Sequence, residues 1–119
     1  MLENFYSVIE KNIGNTSATF GVRFNAQHPI FRGHFPQQPV VPGACLLQMA
    51  GDLVSSVLQK KLWVMGAKNI KFLQVILPER ADVVTFDLAW NESNGGYEVK
   101  CSVVSADTRY AVMQLTLAD

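Results

Sequence analysis

The chain has 119 residues, 49% of them hydrophobic, with ten acidic and ten basic side chains. That length accommodates one domain, residues 1–119, and leaves no room for a second core, while the apolar content offsets chain entropy and excludes disorder. A formal charge of zero argues against nucleic acid as the main ligand, because phosphate binding rests on excess Lys and Arg; it leaves room for a local basic patch.

In chain order, the opening MLENFYSVIEKN is too polar for a signal peptide, and no apolar run approaches the ~20 residues of a membrane span. The expected compartment is the cytoplasm. Residues 18–25 alternate as a strand does. Residues 28–43, HPIFRGHFPQQPVVPG, hold four prolines, two glycines and two histidines, a density that excludes a helix or central strand and describes a rigid, preshaped loop. From Gly43 to about Lys60, Leu46, Leu47, Ala50, Leu53, Val54, Val57 and Leu58 recur at helical spacing, which predicts one long helix with a broad buried face. Pro42 suits its first position, and Lys60 and Lys61 suit the negative end of its dipole. Strand character follows at Leu62–Met65, Lys68–Val75, Val83–Trp90, Tyr97–Ser105 and Arg109–Leu117, with Asn94-Gly95-Gly96 as a hairpin loop, so the strands are expected to form a meander. Cys45 and Cys101 lack the spacing of a zinc or redox site and read as reduced core residues; neither metal nor cofactor is expected.

One apolar helix against one antiparallel sheet is an α+β layout in which the sheet must curl round the helix. Periodicity alone leaves other two-layer α+β folds open beside the hot-dog fold, in which a curled antiparallel sheet wraps one long central helix. The run Phe31-Arg-Gly-His34-Phe35-Pro36, then Pro39-Val-Val-Pro42-Gly43, resembles the signature of the β-hydroxyacyl-ACP dehydratases, which are hot-dog proteins; Lys71-Phe72 and Pro78 extend the resemblance. Its motifs cover roughly residues 20–90.

The resemblance implies that His34 is the base that removes the proton beside a thioester carbonyl. Histidine suits this task, since an unperturbed pKa of about 6.5 leaves much of it neutral. The oxyanion would meet the Gly43 N–H at the helix N-terminus. Phe31, Phe35, Pro42, Leu46 and Met49 are the expected lining of the acyl tunnel. His28 matches no base position and reads as a structural residue that helps fix the loop or lines the entrance. The family's general acid, a Glu or Asp five residues after the glycine, is here Gln48, which cannot give up a proton; Asp52 stands where the family usually has Gln. Positions 48 and 52 share one helix face, about 6 Å apart along the axis.

Three readings follow. The chain is a dehydratase in which His34 returns the proton to the leaving hydroxyl or Asp52 supplies it; or a thioesterase using water near His34, Gln48 and Asp52; or a non-catalytic or half-catalytic subunit paired with an intact dehydratase. The expected partners are an acyl thioester on acyl carrier protein or CoA and a second copy of the chain, in a homodimer or higher homo-oligomer. A hetero-oligomer with another dehydratase-like chain is the alternative, because family sites combine the histidine of one chain with the helix acid of the other.

Overall fold

In the computed structural model, the described residues are 2–33, 39–79 and 83–119. Two strands, β1 (Tyr6–Ile13) and β2 (Ser17–Phe24), lead into a single helical turn, α1 (Ile30–Gly33), inside the segment expected to hold no helix; Pro29 stands ahead of the turn, where a missing N–H obstructs nothing and its carbonyl accepts the Arg32 N–H. The long helix α2 (Gly43–Leu58) follows, then β3 (Trp63–Phe72), β4 (Val84–Ser93), β5 (Gly96–Ser105) and β6 (Thr108–Ala118). No described helix is long and apolar enough to cross a membrane.

Every pairing is antiparallel. The expected meander holds for β4, β5 and β6, but the sheet order is β1-β2-β4-β5-β6-β3. The difference has a simple cause: α2 lies between β2 and β3 in the chain, packs on β3, β6 and β4, and delivers the chain to the opposite edge, which side-chain periodicity does not encode. Along β4 to β6 buried and exposed residues alternate, and the register brings the buried ones together: Phe86 opposite Val103, Leu88 opposite Cys101, Cys101 opposite Met113. These side chains pack against Leu46, Met49, Ala50, Leu53 and Val54 of α2 to form one core. The β4–β5 loop is the two residues Asn94 and Gly95, both left-handed (φ 51° and 81°), as the tight hairpin turn that suits strand twist requires.

The two strand segments expected at 62–65 and 68–75 are one strand, which ends at Phe72. Register shifts at Val64/Gly66 and Lys68/Lys71 break its alternation, the second containing Asn69 at φ 53°. Each bulged residue reverses which face the following side chains take, so one strand reads in sequence as two. The strand β1 was not anticipated. Only its first residue is half-buried, and the other seven are exposed, so it carries no one-sided hydrophobic pattern.

Candidate active site

The entry to α2 departs slightly from expectation. Pro42 is the N-cap residue, with extended backbone (φ −63°, ψ 142°), and Gly43 is the first helical residue. Proline's fixed φ fits both places, and the ψ value decides between them. Pro42 supplies no side-chain cap, and its carbonyl accepts the Cys45 N–H at 3.0 Å, which leaves the Gly43 and Ala44 N–H groups at the place where a helix N-terminus favours an anion. At the other end Gln59 is left-handed and terminates the helix. Lys60 and Lys61 therefore lie beyond it: Lys60 Nζ donates to the Tyr97 hydroxyl at 3.2 Å and Lys61 sits 4.9 Å from the Trp63 ring centre.

A cleft of about 450 Å³ opens at the N-terminus of α2, with Pro42, Gly43, Leu46, Phe72, Val75 and Ile76 among its walls. The Phe72 ring stands directly over Gly43, where an added Cβ would come 2.6 Å from Phe72 Cζ. Glycine permits this approach of ring to helix backbone. Of the expected tunnel residues, Pro42 and Leu46 line this cleft. Met49 and Phe31 are enclosed in the core, Phe31 stacked on Phe5 with ring centres 5.2 Å apart. His34 and Phe35 lie outside the described residues.

Five residues along α2 from Gly43, the Gln48 side-chain amide donates to Asp52 Oδ1 at 2.9 Å. Both side chains are half-buried. Asp52 opens onto a second cleft, of about 470 Å³, which it shares with Leu2, Glu3, Tyr6 and Val8. Burial, and then the negative charge of Asp52, push the Tyr6 phenol above its usual range. Along the helix axis, nine residues separate Gly43 from Asp52, a rise of about 13.5 Å. Two groups joined through a single carbon atom cannot touch both within one chain.

His28 has the fixing role its sequence position suggested. Its Nε2–H donates to the Glu3 carbonyl at 2.8 Å and its Nδ1 accepts the Ile30 N–H at 3.1 Å. These partners assign the proton to Nε2 and occupy both ring nitrogens, so the ring has no lone pair left for base chemistry. The ring also packs edge-on against Phe5, 5.3 Å between centres. Asn25 donates through Nδ2 to the Asn4 carbonyl at 2.8 Å, and its backbone N–H bonds the Phe5 carbonyl at 2.8 Å. The N-terminal segment is thus tied to the turn that precedes His34. Phe5 and Tyr6 were missed from sequence; an adjacent aromatic pair in an otherwise polar opening was the available signal. Cys45 is half-buried and its thiol pushed up by burial, which disfavours the thiolate a nucleophile would need.

The chain is 33% identical to a 3-hydroxyacyl-[acyl-carrier-protein] dehydratase FabZ from Chlamydia pneumoniae over 100 residues, 75% of this chain and 64% of that protein. A FabZ from Rickettsia bellii is 35% identical over 72 residues, covering 54% and 50% respectively. The chain thus spans between half and two thirds of the length of these relatives. Among solved structures, the dehydratase heterocomplex ApeI:P from Xenorhabdus doucetiae superposes with a TM-score of 0.76 at 17% identity, covering 95% of this chain and 97% of that one. A sigma28-regulated virulence protein from Campylobacter jejuni superposes at 0.70 with 13% identity, covering 100% and 86%. At such identities these structures speak to the fold, and the hot-dog dehydratase architecture is the one the chain adopts. Residues 10–113 match the family described as ApeI-like, ApeI dehydratase, and the chain belongs to that family of FabA/FabZ-like dehydratases.

Proposed function

We propose that the chain eliminates water from 3-hydroxyacyl thioesters in a site shared by two chains. His34 of one chain takes the proton from the carbon beside the carbonyl, and the carbonyl oxygen, as it gains charge, is held by the Gly43 N–H of that chain. The electron pair of the broken C–H bond forms the new double bond as the C–O bond breaks. The Asp52 carboxyl of the other chain protonates the departing hydroxide, so that water leaves, and the proton held by His34 returns to Asp52 through solvent.

The observation that carries this reading is the Gln48–Asp52 hydrogen bond. The amide occupies Oδ1 and orients the carboxyl, so Gln48 and Asp52 act as an exchanged form of the family's acid and amide. The two-chain arrangement is supported by the separation of Gly43 from Asp52 along α2. It is supported also by β3, an edge strand with Trp63, Met65, Ile70 and Phe72 exposed. An apolar edge with unpaired backbone groups is a template for another strand. A second copy is the default occupant. The likeness to the Xenorhabdus dehydratase heterocomplex favours a second reading, in which another dehydratase-like chain takes that place. The thioester carrier in both readings is acyl carrier protein or CoA.

The test is turnover of a short 3-hydroxyacyl thioester by the purified protein, with product identified by mass. Enoyl thioester is expected, and free acid would instead mark a thioesterase. Asp52→Asn should lower the rate about 10²–10⁴-fold, as loss of a general acid does, and His34→Ala should abolish it. Unchanged turnover in His34→Ala would refute the mechanism. Activity that emerges only when a second dehydratase-like chain is co-purified would establish the heteromeric reading.

A further inference from the structure

The second cleft holds a group to which the proposed reaction has so far given no part. Tyr6 opens β1 opposite Phe24 and is held from behind by Phe5, which is fully buried against Phe24, Phe31 and His28. Because the His28 and Asn25 hydrogen bonds tie this segment to the turn before His34, Tyr6 belongs to the scaffold and is not part of a loose end. Its phenol shares the cleft with the Asp52 carboxyl.

Resting on the dehydration reading above, we propose that Tyr6 is a third side chain of the acid half of the site, its hydroxyl donating a hydrogen bond to the β-oxygen as Asp52 protonates it. The chemistry fits the position. A phenol held in its protonated form is a weaker proton source than a carboxylic acid, but it can bind an oxygen on which negative charge is growing, and such bonds to charged partners are about twice as strong as neutral ones. Burial, the larger of the two influences on this phenol, keeps it in its protonated, donating form while Asp52 carries its proton. Glu3, the other carboxylate on the cleft wall, is exposed to solvent, which screens its charge. In this arrangement Gln48 orients Asp52 from one side while Tyr6 and Asp52 converge on the leaving oxygen.

The experiment compares the wild-type protein with Tyr6→Phe, which retains the ring, on a 3-hydroxyacyl thioester and on its 3-chloro analogue. From the chloro compound His34 removes the same proton, while chloride leaves without needing one. Tyr6→Phe is expected to lower kcat on the hydroxy substrate about 10- to 100-fold with KM nearly unchanged, and to alter chloride elimination less than about threefold. Equal loss on both substrates would assign Tyr6 a merely structural role and overturn the proposal. Wild-type kcat in Tyr6→Phe, with Asp52→Asn inactive, would overturn it while leaving the dehydration reading intact. A wild-type protein that forms no enoyl product from the hydroxy substrate would overturn both.

Discussion

Gly43 offers a sharp separation of stability from chemistry. Its backbone does not require positive φ, and alanine at a compatible position stabilises by about 0.4–1 kcal/mol through the unfolded chain. Against this, the new Cβ would lie 2.6–3.0 Å from three atoms of the Phe72 ring, forcing the ring to move. Phe72 is 54% exposed, so it can swing toward solvent at a rotamer cost of about 0.5–1.5 kcal/mol. The two effects nearly cancel, and Gly43→Ala should leave unfolding free energy within about 1 kcal/mol of wild type by urea denaturation. Turnover should behave differently. If the Gly43 N–H holds the oxyanion, a methyl group beside it and a displaced ring in the cleft obstruct the carbonyl, and kcat should fall about 10²–10³-fold, the usual effect of losing one such donor. Adding Phe72→Ala separates the two obstructions, since recovery in the double variant would trace the loss to the ring. A stable Gly43→Ala protein with kcat within about threefold of wild type would refute the assignment of this N–H to the carbonyl oxygen.

The edge of β3 should be equally separable from the core: Met65 is 65% exposed, so Met65→Glu should leave each chain folded while dissociating the pair, read by sedimentation, and turnover should disappear with the dimer. A monomer that retained full activity would exclude a site shared between chains. Phe5→Ala removes a fully buried ring that contacts Phe24, Phe31 and His28 and should cost about 3–5 kcal/mol in chemical denaturation; a loss below about 1 kcal/mol would mean that the N-terminal segment is not integral to the fold. Cys101 is pushed up to about 12 from 9.0, chiefly by burial and then by the charge of Asp87. The folded protein therefore keeps this proton where the unfolded chain has lost it, so the contribution is complete below pH 9 and declines toward pH 12, by about 1.4 kcal/mol per unit. The difference in stability between wild type and Cys101→Ala should shrink across that window, and a constant difference would show that the thiol does not titrate with folding.

What the sequence disclosed, and what it concealed, follows from where the hydrophobic pattern is one-sided. The helix Gly43–Leu58 and strands β4 to β6 each bury one face, so their periods of about 3.6 and 2 were legible, as was the Asn94-Gly95 turn. The motif from Phe31 to Gly43 was legible for a different reason, as contiguous residues whose types are fixed by loop chemistry. Gln48 and Asp52 could be placed on one face by spacing alone, and their hydrogen bond confirms that placement. By contrast β3, with its two bulges, read as two pieces. Strand β1 did not read as a strand at all, because after Tyr6 its residues are exposed. The blind spot matters for chemistry, since an element without a core-facing pattern still brought Tyr6 to Asp52. The reason is that Phe5, one residue ahead of the strand, supplies the anchorage that β1 itself lacks. A side chain can therefore be positioned by its neighbour's burial, and the two unpatterned edges, β1 and β3, are where this sheet leaves large apolar side chains such as Val8, Ile9, Trp63 and Met65 exposed.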